Sequence, residues 1–179
     1  MAGVRKKSKV KIYQIINLVL VIGMLISLFL LYEHFSSSEN EFCKFGEGFD
    51  CGVVNKSPYA NLDGLSYLLT IDFGWPLPFV NISGINFVFD FLTSNAFLGF
   101  LTLLFLLLLL KANKENKDFL WIKKDFTRSW ARGISAFGVL YGIYLFYIQH
   151  SILQTYCLFC LLLDATLLTL LVLVWSIKK

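Results

Sequence analysis

Four cysteines carry the first chemical signal in this chain: Cys43, Cys51, Cys157 and Cys160. The last two form the motif Cys157-Leu158-Phe159-Cys160, which opens a long apolar stretch. Residues three apart on a helix share a face, so two sulfurs at this spacing can bridge with little strain. At a helix N-terminus the unpaired N–H groups also stabilise a thiolate, which lowers a cysteine pKa toward reactivity. With about 1.5 Å of rise per residue, Cys160 sits about 4.5 Å deeper along such a helix than Cys157. The deeper sulfur is the better placed to meet a lipid-soluble acceptor, and the shallower one to meet a neighbouring loop. The residues leave four readings open: redox exchange, two static disulfides, an all-cysteine zinc site, and an inert apolar pair. Spacing speaks against zinc, because such sites use two C-x-x-C-like knuckles and Cys43 and Cys51 lie eight apart.

The elements that position these cysteines are membrane helices. Of the 179 residues, 57% are hydrophobic, more than a soluble globular domain usually carries, and the length suits a single domain. The net charge of +4 is no nucleic-acid signal, because the basic residues sit in short blocks between apolar runs. A hydrocarbon core takes about 20 apolar residues to cross. Candidate spans cover about 12–32, 85–110, 133–148 and 155–177. The third is short and diluted by Gly133, Gly138 and Gly142, which with Ser135 and Ala136 suit close helix packing in a bilayer. The apolar core of the first span exceeds that of a typical signal peptide, so it is read as a retained helix. The expected fold is therefore an all-α integral membrane protein, a bundle of four transmembrane helices.

Lysine and arginine counts set the expected orientation. Five basic residues precede the first span up to Lys11, and seven lie between Lys111 and Arg132. Lys178 and Lys179 end the chain. The connection around His150 to Gln154 has neither lysine nor arginine. The long first loop holds only Lys44 and Lys56 against Glu33, Glu39, Glu41, Glu47, Asp50, Asp63 and Asp72. Both termini and the middle loop are thus expected in the cytoplasm, in a multi-pass cell-membrane protein. All four cysteines then face the oxidising side, where an even count favours disulfides over free thiols.

The loop over about 35–84 is too long for a simple connector and is expected to carry structure of its own. Residues 61–71 suit a short helix with an apolar side of Leu62, Leu65, Leu68 and Leu69. Trp75, Pro76, Leu77, Pro78 and Phe79 then form a stiff aromatic return to the membrane interface. Together they are expected to cap the outer mouth of the bundle.

Two further residues bear on chemistry. Ser57 precedes Pro58, a pattern that can cap a helix, and Asp164 lies about one turn inside the membrane. A carboxylate there is costly, so it must face the bundle, a polar cavity or a partner. It could pass protons or hold a structural hydrogen bond. His150 reads as a solvated loop histidine, and Asp90 as interfacial.

Four spans, a loop pair spaced Cys-x7-Cys with Ser57 six residues on, and Tyr156-Cys157-Leu158-Phe159-Cys160 at the head of helix four resemble the vitamin K epoxide reductase family. The likeness is to its stand-alone bacterial or archaeal members and covers nearly the whole chain. It implies an electron relay. A reduced thioredoxin-fold (DsbA-like) partner would pass electrons to the loop pair, first through Cys43. Cys51 would exchange with Cys157, and Cys160 would reduce a membrane quinone of the ubiquinone, menaquinone or vitamin K type. Ser57 would shape the quinone pocket or anchor the loop, and Asn81 lies near where animal members place a quinone-contacting asparagine. Those members carry a tyrosine four residues after the second C-x-x-C cysteine, where this chain has Asp164. A true vitamin K epoxide reductase ranks below a thiol oxidase for that reason. The chain shows no fused thioredoxin domain, so the partner is expected to be a separate protein. A different class of reading is a non-catalytic four-span scaffold stapled by two disulfides.

Overall fold

The computed structural model describes residues 2–36, 43, 44, 46 and 48–177, with side chains from residue 11 onward. The acidic residues Glu39, Glu41 and Glu47 and the basic pair Lys178 and Lys179 lie outside the described residues, as do the side chains of Arg5, Lys6, Lys7 and Lys9.

Four helices are long and apolar enough to cross a membrane. They fall in α1 (Ala2–Phe35), α5 (Asn95–Glu115), α6 (Lys124–Tyr147) and α7 (Leu158–Ser176), and the molecule is an all-α four-span bundle. Among the described residues between α1 and α5 are the short helices α2 (Cys51–Asn55), α3 (Asp63–Tyr67) and α4 (Phe87–Thr93), with a 3-10 turn at Ser83–Ile85. One π-helical turn, Leu68–Asp72, prolongs α3, and another, Ile148–Leu153, prolongs α6.

The half of the bundle away from the cysteines is filled by apolar side chains. Ile16 and Leu20 of α1, Leu103, Leu106 and Leu110 of α5, and Leu170 and Val174 of α7 share one buried cluster with Ala131 of α6. Their three- and four-residue spacing is the helical stripe that lets each helix bury one face. On α6 the buried stripe consists of Thr127, Ala131, Ser135, Gly138 and Gly142. These small side chains let α7 approach closely, as bilayer packing favours. A Cβ on Gly138 would stand 3.3 Å from Leu167 Cδ2. Gly133 is different, for it faces open space and takes no part in this contact.

Span two begins later than its composition suggests. Asn86 opens α4 by accepting from the Val88 and Phe89 N–H groups at 3.0 and 3.1 Å. Ser94 then ends α4 in an extended conformation and caps α5, its Oγ accepting from Phe97 N–H at 3.3 Å. The cap loop docks in this break. Leu62 N–H donates to Thr93 O, Asn95 N–H to Ala60 O, and Asn95 Nδ2 to Tyr59 O, all at 2.8–3.0 Å. The apolar run from Ile85 continues through the break, but hydrogen bonds from the loop decide where the helix is interrupted. Span three is longer than its apolar stretch, because its helix already starts at Lys124.

In the cap, the short helix forms at 63–67 and continues as the π turn. Leu68 is buried as expected, whereas Leu62 and Leu65 are exposed. Gly64 explains the rotation: a Cβ there would lie 2.6 Å from Tyr59 Cα, so the helix packs its Asp63–Gly64 side inward against backbone. Trp75, Leu77 and Phe79 of the aromatic return are about half exposed, on a surface strand of chain held to α3 by Val80 N–H donating to Ser66 Oγ.

Candidate functional site

Cys51 is the first residue of α2, which Asp50 caps by accepting from Val53 N–H at 3.1 Å. It is joined by a disulfide to Cys43, with Cα atoms 5.3 Å apart. Cys157 and Cys160 form the second disulfide, with Cα atoms 5.1 Å apart. Cys43, Cys51 and Cys157 are almost completely buried in one cluster with Leu30 and Ala96, and Cys160 packs against it half-buried.

Two backbone hydrogen bonds join the pairs. Asp50 N–H donates to Tyr156 O at 3.0 Å, and Tyr156 N–H donates to Gly48 O at 2.8 Å. The residue before each central cysteine is therefore held against the other, which sets Cys51 beside Cys157. The chain reaches this position because Gln154 adopts a left-handed conformation (φ 50°) after the π turn and directs 155–157 back toward the loop. The buried side chain of Gln149 completes the turn, its Oε1 accepting from Cys157 N–H at 2.8 Å. Cys157 is the N-cap of α7, and its Sγ accepts from Cys160 N–H at 3.1 Å. A sulfur in that position lies at the positive end of the helix dipole.

Below the cysteines a cavity of about 70 Å³ opens between the cap and helices α1, α5, α6 and α7. Cys160 and Asp164 line it from α7, Asn95 and Ala96 from α5, and Ser57 and Tyr59 from the cap. The rest of the wall is mainly aliphatic. Asn95 holds a central position: it donates to Tyr59 O and accepts from Tyr141 Oη at 2.7 Å. Tyr59 Oη donates to Asp72 of the π turn. Burial, with the neighbouring Asp72 carboxylate second, holds this hydroxyl above the ordinary tyrosine range. Asp164 lies on Gly142, where a Cβ would stand 2.6 Å from its Oδ1, so only glycine there admits the carboxylate.

The structure thus gathers Cys43, Cys51, Ser57, Cys157, Cys160 and Asp164 around one place. Ser57 Oγ donates to Val54 O at 2.8 Å, closing the end of α2, and no helix starts at Pro58. Asn81 does not join them. It is exposed and accepts from Gly84 N–H at 2.9 Å, shaping a surface turn. His150 is exposed, stacked on Phe146 and hydrogen-bonded to Tyr156 Oη. Asp90 ties the cap to α1, accepting from Asn61 Nδ2 at 2.8 Å and pairing with His34 at 3.2 Å. Sequence reasoning passed over Asn55, Asn95, Gln149, Tyr59 and His34. The only signal for Asn95 and Gln149 was a polar side chain inside or beside an apolar run. Tyr59 and Asn55 had none, since loop positions are polar by default.

The chain is a four-span membrane protein with a loop disulfide stitched to a C-x-x-C helix end, above a mostly apolar cavity. The family model for the vitamin K epoxide reductase family matches residues 14–175, and the chain belongs to that family. Membership makes it an oxidoreductase with a quinone-linked role. No curated protein matches the chain.

Proposed function

We propose that this protein is a quinone-linked thiol–disulfide oxidoreductase that re-oxidises a secreted thioredoxin-fold protein and so supports disulfide formation outside the cytoplasm. The observation that carries the reading is the pairing of residues 48–50 with Tyr156, which sets the loop disulfide beside Cys157 while Cys160 lines the cavity.

The dithiol of the partner attacks Cys43, and Cys51 leaves as thiolate. Cys51 then attacks Cys157, and Cys160 leaves in turn. The partner's second thiol attacks its own sulfur in the mixed disulfide, which leaves the partner oxidised and frees Cys43 as thiolate. Attack of Cys43 on Cys51 then breaks the Cys51–Cys157 bond, restores the loop disulfide and leaves Cys157 and Cys160 reduced. Each step exchanges one S–S bond for another, so two electrons pass inward with no other reactant. The Cys160 N–H that now meets Cys157 Sγ would stabilise its thiolate.

The wall of the cavity fits a quinone head group in kind: aliphatic side chains, with Ser57, Asn95 and Asp164 as polar contacts near Cys160. A quinone bound there supplies a two-electron, two-proton acceptor. At about 70 Å³ the space is small beside the ~300–1,000 Å³ of typical small-molecule sites, so the cap must shift to admit a ring. Asp164 would orient the head group, and the apolar wall would exclude water. Orientation follows from the charges: the cysteines lie outside, both termini inside, and the membrane is the cell membrane.

The test is turnover in detergent with a reduced thioredoxin-fold dithiol and a quinone, followed by quinone absorbance. Wild type should turn over, and Cys160→Ala should lose at least about a hundredfold, the scale of a lost covalent step. No turnover with several quinones and partners, with both disulfides inert to mild reductant, would instead leave a stapled scaffold.

A further inference from the structure

The reduced pair, as Cys157 thiolate and Cys160 thiol, gives up two electrons and one proton when its disulfide forms. Converting a quinone to a hydroquinone takes two electrons and two protons, so one proton must come from elsewhere. We propose that Asp72 and Tyr59 form a proton-uptake path from the outer surface of the cap to the cavity beside Cys160. The inference rests on the quinone-reducing reading above.

Asp72 is exposed on the π turn and forms the end of the path that meets water. Its carboxylate accepts from Tyr59 Oη, and Tyr59 is only 4% exposed and lines the cavity. Tyr144 of α6 packs on the Tyr59 cluster, but its buried Oη has no hydrogen-bond partner among the described residues and so takes no part in the path. Asn95 Nδ2 donates to Tyr59 O at 2.8 Å and fixes that residue at the cavity wall. Asn95 faces the cavity together with Cys160 and Asp164.

A hydroxyl both donates and accepts, so Tyr59 can receive a proton from Asp72 and hand its own on by rotation without ionising. The high affinity of Tyr59 for its proton fits such a role, since it stays a donor at neutral pH. The titratable groups facing Tyr59 are Asp72 on the cap, Tyr67 of α3 and Tyr144 of α6, and Asp164 of α7 faces the same cavity.

The experiment is a single turnover. Protein reduced with a phosphine is mixed with a short-tailed benzoquinone in detergent, in H₂O and D₂O, over a range of pH. In parallel, exchange of the loop disulfide with dithiothreitol is timed. Tyr59→Phe, which keeps the ring, and Asp72→Asn should each slow quinone-dependent thiol oxidation by about a hundredfold, the lower range for proton transfer by a positioned group. Their solvent isotope effect should exceed that of wild type, and their rates should fall more steeply as pH rises. Loop exchange should stay at the wild-type rate. Wild-type rates, isotope effects and pH profiles in both variants would overturn the path. So would slowing confined to Asp164→Asn, which would place proton entry on α7. If wild type itself exchanges thiols but passes no electrons to the quinone, the functional reading fails along with it.

Discussion

Cys51 and Cys157 are the two residues on which the proposed relay turns, and their neighbours show how the loop cysteine is brought to the helix end. Asp50 and Gly48 hold Tyr156 by backbone hydrogen bonds, while Gln149 holds Cys157 itself. The exchange partner is thus chosen by main-chain geometry, which side-chain substitution disturbs little. Removing the other member of each pair, as Cys43→Ala with Cys160→Ala, should leave Cys51 and Cys157 to join. A linked peptide containing both, seen by mass spectrometry after non-reducing digestion, is the expected product. Two free thiols under oxidising conditions would deny the contact between the pairs. The four cysteines and Asp164 were legible as candidates from type and spacing. Asn81, suggested by the resemblance, shapes a surface turn and does not line the cavity.

At the scale of elements, the cap is held by inserting backbone into the break between α4 and α5. Residues 59–62 satisfy the groups that Ser94 frees, and Asp90, His34 and Asn55 fasten the same region to α1. Asn55 also donates to Leu30 O. Irregular backbone at this depth is tolerated because protein partners take up its hydrogen bonds. Gly64 governs the fit, since α3 packs within 2.6 Å of where its Cβ would stand against Tyr59 backbone. Gly64→Ala should cost about 1–3 kcal/mol, the usual penalty for overpacking. It should lower the melting temperature in detergent and speed proteolysis of the cap, with α5–α7 less affected. An unchanged melting temperature would mean that the contact can relax freely. The four spans were visible as apolar runs, but their ends were not. The break at Ser94 and the early start of α6 at Lys124 depend on hydrogen bonds and packing that hydropathy does not record.

For the whole molecule, the proposed orientation rests on the charge pattern. The stretch from Lys111 to Arg132 lies at the opposite end of the bundle from the cysteine cluster, with α5 and α6 between them. In a cysteine-free background, Ile71→Cys should react with an impermeant thiol reagent added to intact cells, since Ile71 is 58% exposed on the cap. Lys117→Cys in the middle loop should react only after the membrane is opened. The reverse pattern would put the cysteines in the cytoplasm and remove the secreted partner from the scheme.

The number of spans, the charge asymmetry and the spacing of the four cysteines were all determined by the sequence alone. They depend on properties that add along the chain: hydrophobicity over a helix length, charge between runs, and the spacing of like residues. The tertiary structure alone decided which loop backbone lies against Tyr156, which glycines face a neighbour, and which polar residues meet in the cavity. Gly138 and Gly142 pack against α7 while Gly133 does not, and Asn95 enters the site while Asn81 stays outside. Those outcomes depend on contacts between residues far apart in the chain, and no local pattern specifies which two distant segments will meet.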